Sequence, residues 1–298
     1  MLGAIEAGGT KFVCAVGGAH DDIWAQKTIP TSTPDETLSA CARFFQDAQV
    51  RFGVITGLGI ASFGPIDLTR SATYGTLLNT PKPGWTGTNF AHFFGHQVGV
   101  RVALDTDVNA AMLAEAKVGA ARGAKDAAYI TVGTGIGVGV LSGGQLLHGT
   151  LHPELGHMPV PRWPGDEKFE SQCPYHNDCV EGLASGPAIA MRGAMPASIL
   201  PPDHLAWQAE AYYLAQLCRT ITLAYAPERI VMGGGVMAQK SLIGRVRREA
   251  EKLIAGYVPV AARRGGMESY IAEAALGKIS GLVGAFLLAQ QNKPTGGR

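Results

Sequence analysis

The sequence predicts an α/β protein built as two similar halves with a cleft between them, and three observations carry that prediction. The run Ile130-Thr-Val-Gly-Thr-Gly-Ile-Gly-Val-Gly-Val-Leu-Ser-Gly-Gly144 sets glycine at every second place from Gly133 to Gly139, with β-branched residues between. That is the period of a strand. A weaker echo, Ile5-Glu-Ala-Gly-Gly-Thr-Lys-Phe-Val-Cys-Ala-Val-Gly-Gly18, opens the chain, and both copies read strand, small-residue turn, strand, Gly-Gly turn. The 298 residues leave room for two domains of about 150 each.

Taken in order, residues 2–30 read as three short strands with turns at Gly8-Gly9 and at Gly17–Asp22. Thr33-Pro34-Asp35-Glu36 writes a helix start, with threonine as N-cap, proline in the first turn and glutamate placed to close a capping box. Leu38, Cys41, Phe45 and Ala48 follow at helical spacing, so this helix buries one face. Gly53–Ile60 is an apolar strand, left through a Gly64-Pro65 turn. Asn79-Thr-Pro-Lys-Pro-Gly-Trp85 is a stiff loop, since its prolines fix φ and restrict their neighbours. Val100–Leu104 is a strand, and Asp105-Thr-Asp107 leads into a helix over Val108–Val118.

The second half repeats the plan. A glycine hairpin covers 130–149, and an irregular stretch runs to about residue 184. A helix over Leu205–Ala226 precedes a strand, Arg229–Gly235, that enters a glycine turn. Arg245, Arg247, Arg248, Glu249, Glu251 and Lys252 mark the solvated face of the next helix. Ala274–Gln290 is the last helix, and Lys293–Arg298 reads as a frayed tail. The domains are expected at 1–116, joined by the C-terminal helix at about 276–291, and at 117–275.

Composition narrows the function classes. At 46% hydrophobic and 16% charged the chain suits a folded protein with a sizeable core, and a net charge of +1 favours neither nucleic acid nor an acidic membrane. Five cysteines are an odd number for a secreted disulfide framework. The first residues carry no basic, apolar leader, and Leu276–Leu288 is too short to span a membrane, so a cytoplasmic setting is expected.

The chemistry begins with the glycine hairpins. No P-loop pattern occurs, and no G-x-G-x-x-G opens a helix. Glycine at this density sacrifices packing and backbone entropy, so something needs the bare main chain: a tightly packed sheet, or an anion facing backbone N–H groups. Thr10 and Lys11 stand just past the first turn, where a hydroxyl and a cation can meet phosphate oxygens, though Lys11 also suits an exposed strand. Glu6, on an apolar strand, needs water, a cation or a donor; a hydrated Mg²⁺ beside phosphates would supply one.

Asp105-Thr-Asp107-Val-Asn109 supplies two aspartates where one helix cap needs only one, so one of them can accept a proton from a substrate hydroxyl. His157, Cys173, His176 and Cys179 suit a tetrahedral Cys₂His₂ zinc site, and the irregular stretch around them is long enough to need a staple. A full set of four ligands points to structure rather than metal catalysis. Glu154 and Glu181 flank that cluster and match sugar hydroxyls, or else are surface glutamates. Cys14, Cys41 and Cys218 lie in apolar settings and read as packing residues.

Together these stretches resemble the ROK family of bacterial sugar kinases. Glu6-Ala-Gly-Gly-Thr-Lys11 is similar to its first phosphate loop and Thr131-Val-Gly-Thr-Gly-Ile-Gly137 to its second. Glu154-Leu-Gly-His157 with the cysteine cluster resembles its E-x-G-H and zinc module, and Gly233-Gly-Gly-Val236 its adenosine loop. The resemblance implies an actin-like ATPase (ribonuclease H-like) fold whose domains close on ATP and a hexose. It implies that Asp107 is the general base, and that Asp105 is structural. It places Gly8, Gly9, Thr10, Lys11, Thr134, Gly135, Pro187, Gly233, Gly234 and Gly235 on ATP. It places Asn79, Lys82, Asp107, Glu154, His157 and Glu181 on the sugar, with His157 sharing its two ring nitrogens between zinc and a hydroxyl. ATP would bring Mg²⁺, with Glu6 nearby, and the zinc would be structural.

Residues 3–11, 80–85, 105–109 and 173–179 look most like the fructokinase branch, which implies transfer of the γ-phosphoryl group to fructose at C6. Three departures bear on this. Thr106 stands where the glucokinase branch usually carries a sugar-binding asparagine, Glu6 replaces the usual aspartate, and His176 replaces a cysteine of the Cys₃His cluster. The alternatives are another hexose or amino-sugar kinase of the family and a sugar-responsive repressor. The repressor would need a helix-turn-helix before a phosphate loop that starts within ten residues of Met1. A homodimer is expected, with no nucleic-acid or membrane partner.

Overall fold

The computed structural model describes residues 1–291, so the stretch Lys293–Arg298 lies outside the described residues. The chain divides into two compact units. One comprises Met1–Ala114, His148–His152 and the C-terminal stretch from Ile279, and the other comprises Glu115–Leu147 and Pro153–Lys278.

The first unit is laid on a five-stranded sheet. Strands β1 (Leu2–Ala7), β2 (Lys11–Ala19), β3 (Asp22–Pro30), β4 (Gly57–Ser62) and β5 (Val102–Thr106) run in the order β3-β2-β1-β4-β5. β1, β2 and β3 form an antiparallel meander, while β4 and β5 join parallel to β1. Helix α1 (Pro34–Phe52) starts as the sequence dictates: Thr33 accepts the Glu36 N–H, and Leu38, Cys41, Phe45 and Ala48 are buried. It runs on to Phe52 and stops where Gly53 takes φ +96°, so the strand expected from Gly53 begins instead at Gly57. Similarly, α2 (Phe90–Val98), a helix additional to those expected, ends at Gly99 with φ +70° and pushes β5 two residues beyond the expected Val100 start. Its signal was present, since Asn89 caps it and Phe90, Phe94 and Val98 recur at every fourth place. The core of this unit gathers Phe12, Phe45, Trp85, Phe90 and Phe94.

Helix α3 (Asp107–Val118) leaves β5 directly. Helix α10 (Ser280–Gln291) packs on β4 and on α3 at backbone distance, because a Cβ at Gly59 would meet the Ala285 carbonyl and one at Gly284 would meet Ala110. This helix starts later than the expected Ala274. Residues 271–273 pair as an edge strand instead, and a 3₁₀ turn at Gly277–Ile279 intervenes.

The second unit repeats the first sheet strand for strand. β6 (Ala127–Val132), β7 (Ile136–Ser142), β8 (Gln145–Leu146), β9 (Arg229–Gly233) and β10 (Ile271–Glu273) lie in the order β10-β9-β6-β7-β8, again an antiparallel meander with two parallel additions. The duplication read from the glycine echo is therefore one of topology. Between the meander and β9 come α4 (Val180–Ala184), α5 (Gly186–Gly193) and α6 (Ala206–Tyr225). After β9 come α7 (Leu242–Ile254) and the single-turn α8 (Val260–Arg263) and α9 (Met267–Tyr270). Trp207, Leu214 and Ile221 of α6 and Val246 of α7 share one buried core with the sheet side chains Ile130, Val132 and Ile230. Among the described residues, no helix is long and apolar enough to cross a membrane.

Candidate active site and metal centre

In the first unit the turn between β1 and β2 is fixed by its own neighbours. The Gly8 N–H donates to the Lys11 carbonyl (3.0 Å), and the Thr31 hydroxyl donates to the Gly8 carbonyl (2.8 Å). Gly9, Thr10 and Lys11 are exposed at its tip. The Lys82 ammonium donates to the Gly9 carbonyl at 2.6 Å, so the loop 79–85 reaches the turn. That loop is pinned by Trp85, fully buried against Phe12, Phe63 and Phe90, with its indole N–H on the Ser32 carbonyl (3.0 Å). Asn79 lies exposed in the same loop.

Asp107 opens α3 at the carboxyl end of β5 and accepts the N–H of Val108 (2.9 Å). Burial raises its carboxyl to about 6, against the opposing pull of backbone hydrogen bonds. Glu6 is raised to about 7 by burial and then by the charge of Asp107, with Lys11 pulling the other way. The two carboxyls thus titrate within reach of each other and near neutrality, a range suited to taking up a proton. Glu6 also abuts α10, since a Cβ at Gly281 would stand 2.7 Å from its Oε1.

Asp105 behaves differently. It is buried, with Oδ1 accepting the Thr106 N–H (2.8 Å) and the Asn109 side-chain amide (2.7 Å), and Oδ2 2.9 Å from His148 Nε2. Both of its oxygens are thus engaged by the protein's own groups.

In the second unit the glycine turn is held from three sides. Gly133 N–H donates to the Gly135 carbonyl (2.9 Å), and the Gly133 carbonyl accepts from Gly186 (2.7 Å), next to Pro187 at the start of α5. Gly234, at φ +94°, packs its backbone on Val132, where a side chain would collide. Glu181 Oε2 accepts the Ile136 N–H (2.9 Å) and occupies the space that a side chain at position 135 would need. Thr134, Gly135, Pro187 and Gly233–Gly235 are thus gathered around one turn. Part of the bare backbone serves the protein's own groups: Gly135 makes room for Glu181, and Gly156 lets the 3₁₀ turn Leu155–His157 lie on the Ile136 carbonyl.

The cluster beside it is compact. Nδ1 of His157 is 3.6 Å from Cys173 Sγ and 3.8 Å from Cys179 Sγ, and His176 Nδ1 is 3.7 Å from Cys173 Sγ. All four ligand atoms, one from each of His157, Cys173, His176 and Cys179, lie within 4.8 Å of one another. A tetrahedral zinc ion sets sulfur and nitrogen ligands about 3.6 Å apart, so the donor set fits that ion. Burial, the neighbouring Cys173 thiol and Glu181 push the Cys179 thiol to about 12, although the Gly182 N–H opposes them; a cation among the thiols would reverse that balance. The second ring nitrogen of His157 points the other way, 3.9 Å from Glu181 Oε1, while Glu154 is exposed at the entry to the same turn. Cys14, Cys41 and Cys218 are buried packing residues far from this chemistry in the sequence.

The loop bearing the cysteines has a second fastening that sequence reasoning missed. Arg192 forms a two-pronged pair with Asp166 (2.8 and 3.1–3.2 Å) and stacks on Phe169 at 3.8 Å, and Tyr213 donates to the same carboxylate at 2.6 Å. Arg162 caps three loop carbonyls, those of Asp166, Phe169 and Asn177. The Arg192 and Tyr213 contacts reach Asp166 from 26 and 47 residues away, and no local spacing announces them.

The ROK family matches residues 2–292. The chain belongs to that family. Among its ROK relatives, a protein named fructokinase from Zymomonas mobilis is 42% identical over 293 residues, covering 97% of this chain and 96% of the relative. Another named fructokinase, from Pediococcus pentosaceus, is 41% identical over 291 residues, covering 97% and 98%. A crystal structure of a ROK hexokinase from Thermus thermophilus superposes with a TM-score of 0.76 at 26% identity, covering 97% and 98% of the two chains. The duplicated sheets are accordingly those of the actin-like ATPase fold, as the sequence motifs implied.

Proposed function

We propose that the protein is an ATP-dependent fructokinase. The observation that carries the reading is Asp107. It stands at the end of β5 with a proton affinity raised to about 6, in the same unit as the Gly8–Lys11 turn, in a chain whose near full-length relatives are named fructokinase.

In this reading Asp107 accepts the proton of the sugar's C6 hydroxyl as that oxygen bonds to the γ-phosphorus and the bond to ADP breaks. Phosphoryl transfer asks the protein mainly for positioning and charge stabilisation, and one base to orient the nucleophile is enough. We assign ATP's phosphates to Gly8, Gly9, Thr10, Lys11, Thr134 and Gly135, and its adenosine to Pro187 and Gly233–Gly235. Mg²⁺ arriving with ATP would neutralise phosphate charge, and Glu6, which feels the charge of Lys11, would meet its hydration shell. The sugar falls to Asn79, Lys82, Asp107, Glu154, His157 and Glu181. His157, Cys173, His176 and Cys179 would hold a structural zinc ion, which fixes the ring of His157 so that its other nitrogen faces Glu181.

A coupled ADP-release assay over fructose, mannose, glucose and N-acetyl amino sugars tests this. Fructose is expected to give the highest kcat/KM, and 6-deoxyfructose none. Asp107→Ala should lower the fructose rate on the order of 10²–10⁴-fold. Turnover of glucose without fructose would overturn the specificity, and no sugar-dependent ADP release at all would overturn the kinase.

A further inference from the structure

His148–His152 belongs with the first unit although the residues on either side of it in the chain belong to the second. Two histidines seat it. His152 Nε2 accepts the N–H of Ile66 at 3.3 Å, so in its neutral form that ring carries its proton on Nδ1. His148 Nε2 lies 2.9 Å from Asp105 Oδ2, and an ionised carboxylate only accepts, so that nitrogen carries the proton.

The bonds around Asp105 form a closed set. Its Oδ1 takes the Thr106 N–H and the Asn109 amide, and the Thr106 hydroxyl caps the N–H of Asn109 at 3.1 Å. Asn109 Nδ2 also comes within 3.4 Å of His148 Nε2, but two donors do not bond to each other; both converge on Asp105. Residues 105, 106 and 109 are buried, and Asp107 and Val108, which lie between them, are half-buried. The side chain that closes the set is His148, 43 residues away in the chain.

We propose that His148 is a positioning residue for Asp107: by donating to Asp105 it holds the turn 105–109 in the conformation that presents the Asp107 carboxylate. The proposal rests on the reading of Asp107 as the base. A base displaced by about 1 Å loses on the order of 10²-fold in rate, so the expected effect falls on kcat.

The test is steady-state kinetics with fructose and ATP on the full-length protein. His148→Ala is expected to lower kcat about 10–100-fold while KM for ATP stays within about twofold. His148→Gln, which can offer an N–H at similar reach, is expected to recover most of that loss. In an Asp107→Asn background His148→Ala should add less than about twofold, because residues acting through one group are not additive. If His148→Ala does not fold, Asp105→Asn keeps the shape and weakens the pair, and should lower kcat in the same way. A loss in Asp107→Asn together with a His148→Ala kcat near wild type, or losses that multiply in the double variant, would overturn the proposal while sparing the base. Near-normal turnover by Asp107→Asn would remove both.

Discussion

The two meanders share a strand order, yet their first turns are held by different means. Between β1 and β2 the turn is fixed by side chains from its own unit, Thr31 on the Gly8 carbonyl and Lys82 on the Gly9 carbonyl, and its tip is open. Between β6 and β7 it is fixed by backbone contacts from Gly186 and Gly234 and by one carboxylate, Glu181, two residues after Cys179 of the Cys/His cluster. Duplication supplied the scaffold twice. The raised carboxyls Glu6 and Asp107 are in one copy, and the cluster of His157, Cys173, His176 and Cys179 is in the other.

Chelation is the largest way to break that contrast. Removing the zinc proposed for the Cys/His cluster should lower the unfolding free energy by about 3 kcal/mol or more, since a tightly held ion stabilises the folded state according to its affinity. Hydrogen exchange should rise in residues 153–182 and stay unchanged in 1–114. The Arg192–Asp166–Tyr213 contacts should keep residues near 166 more protected than those near 176. Uniform loss of protection across both units would deny that the cluster is a local staple.

Alanine in the two turns gives a smaller and sharper test. At Gly9 a Cβ meets nothing within 4 Å, so Gly9→Ala should change stability by less than about 0.5 kcal/mol. At Gly135 it would stand 2.5 Å from Glu181 Oε2 and displace the acceptor of the Ile136 N–H, at a cost of about 1–2 kcal/mol. Equal melting temperatures for the two variants would mean that the turns are not held differently.

What the sequence showed were features whose physics is local. Thr33-Pro34-Glu36 caps a helix wherever it occurs, and the α1 face at Leu38, Cys41 and Phe45 follows from period alone. The glycine echo carried the duplication because each meander is built from contiguous strands. Cys173, His176 and Cys179 sit at close, regular spacing, and the structure brings them together with His157. Elements stabilised from afar were not legible: β10 is three residues paired to a strand about forty places earlier, and α10 depends on glycines that admit Ala285 and Ala110. Of the candidate site, Asp105 and Asp107 could not be ranked from their spacing, and the family resemblance favoured Asp107. The geometry bears on their difference through His148, which engages the buried Asp105, while Asp107 is half-buried.

The most direct measurement is the pH dependence of kcat/KM for fructose at saturating ATP and Mg²⁺, in the wild type and in Asp107→Asn. A base must be ionised to accept a proton, so the wild-type rate should fall as pH drops through the titration of the Glu6–Asp107 pair, whose carboxyls are raised to about 7 and about 6. Asp107→Asn should run about 10²–10⁴-fold slower and lack the limb near pH 6. A wild-type profile flat from pH 8 to about pH 5, with Asp107→Asn close behind it, would contradict the assignment of the proton chemistry to the first unit.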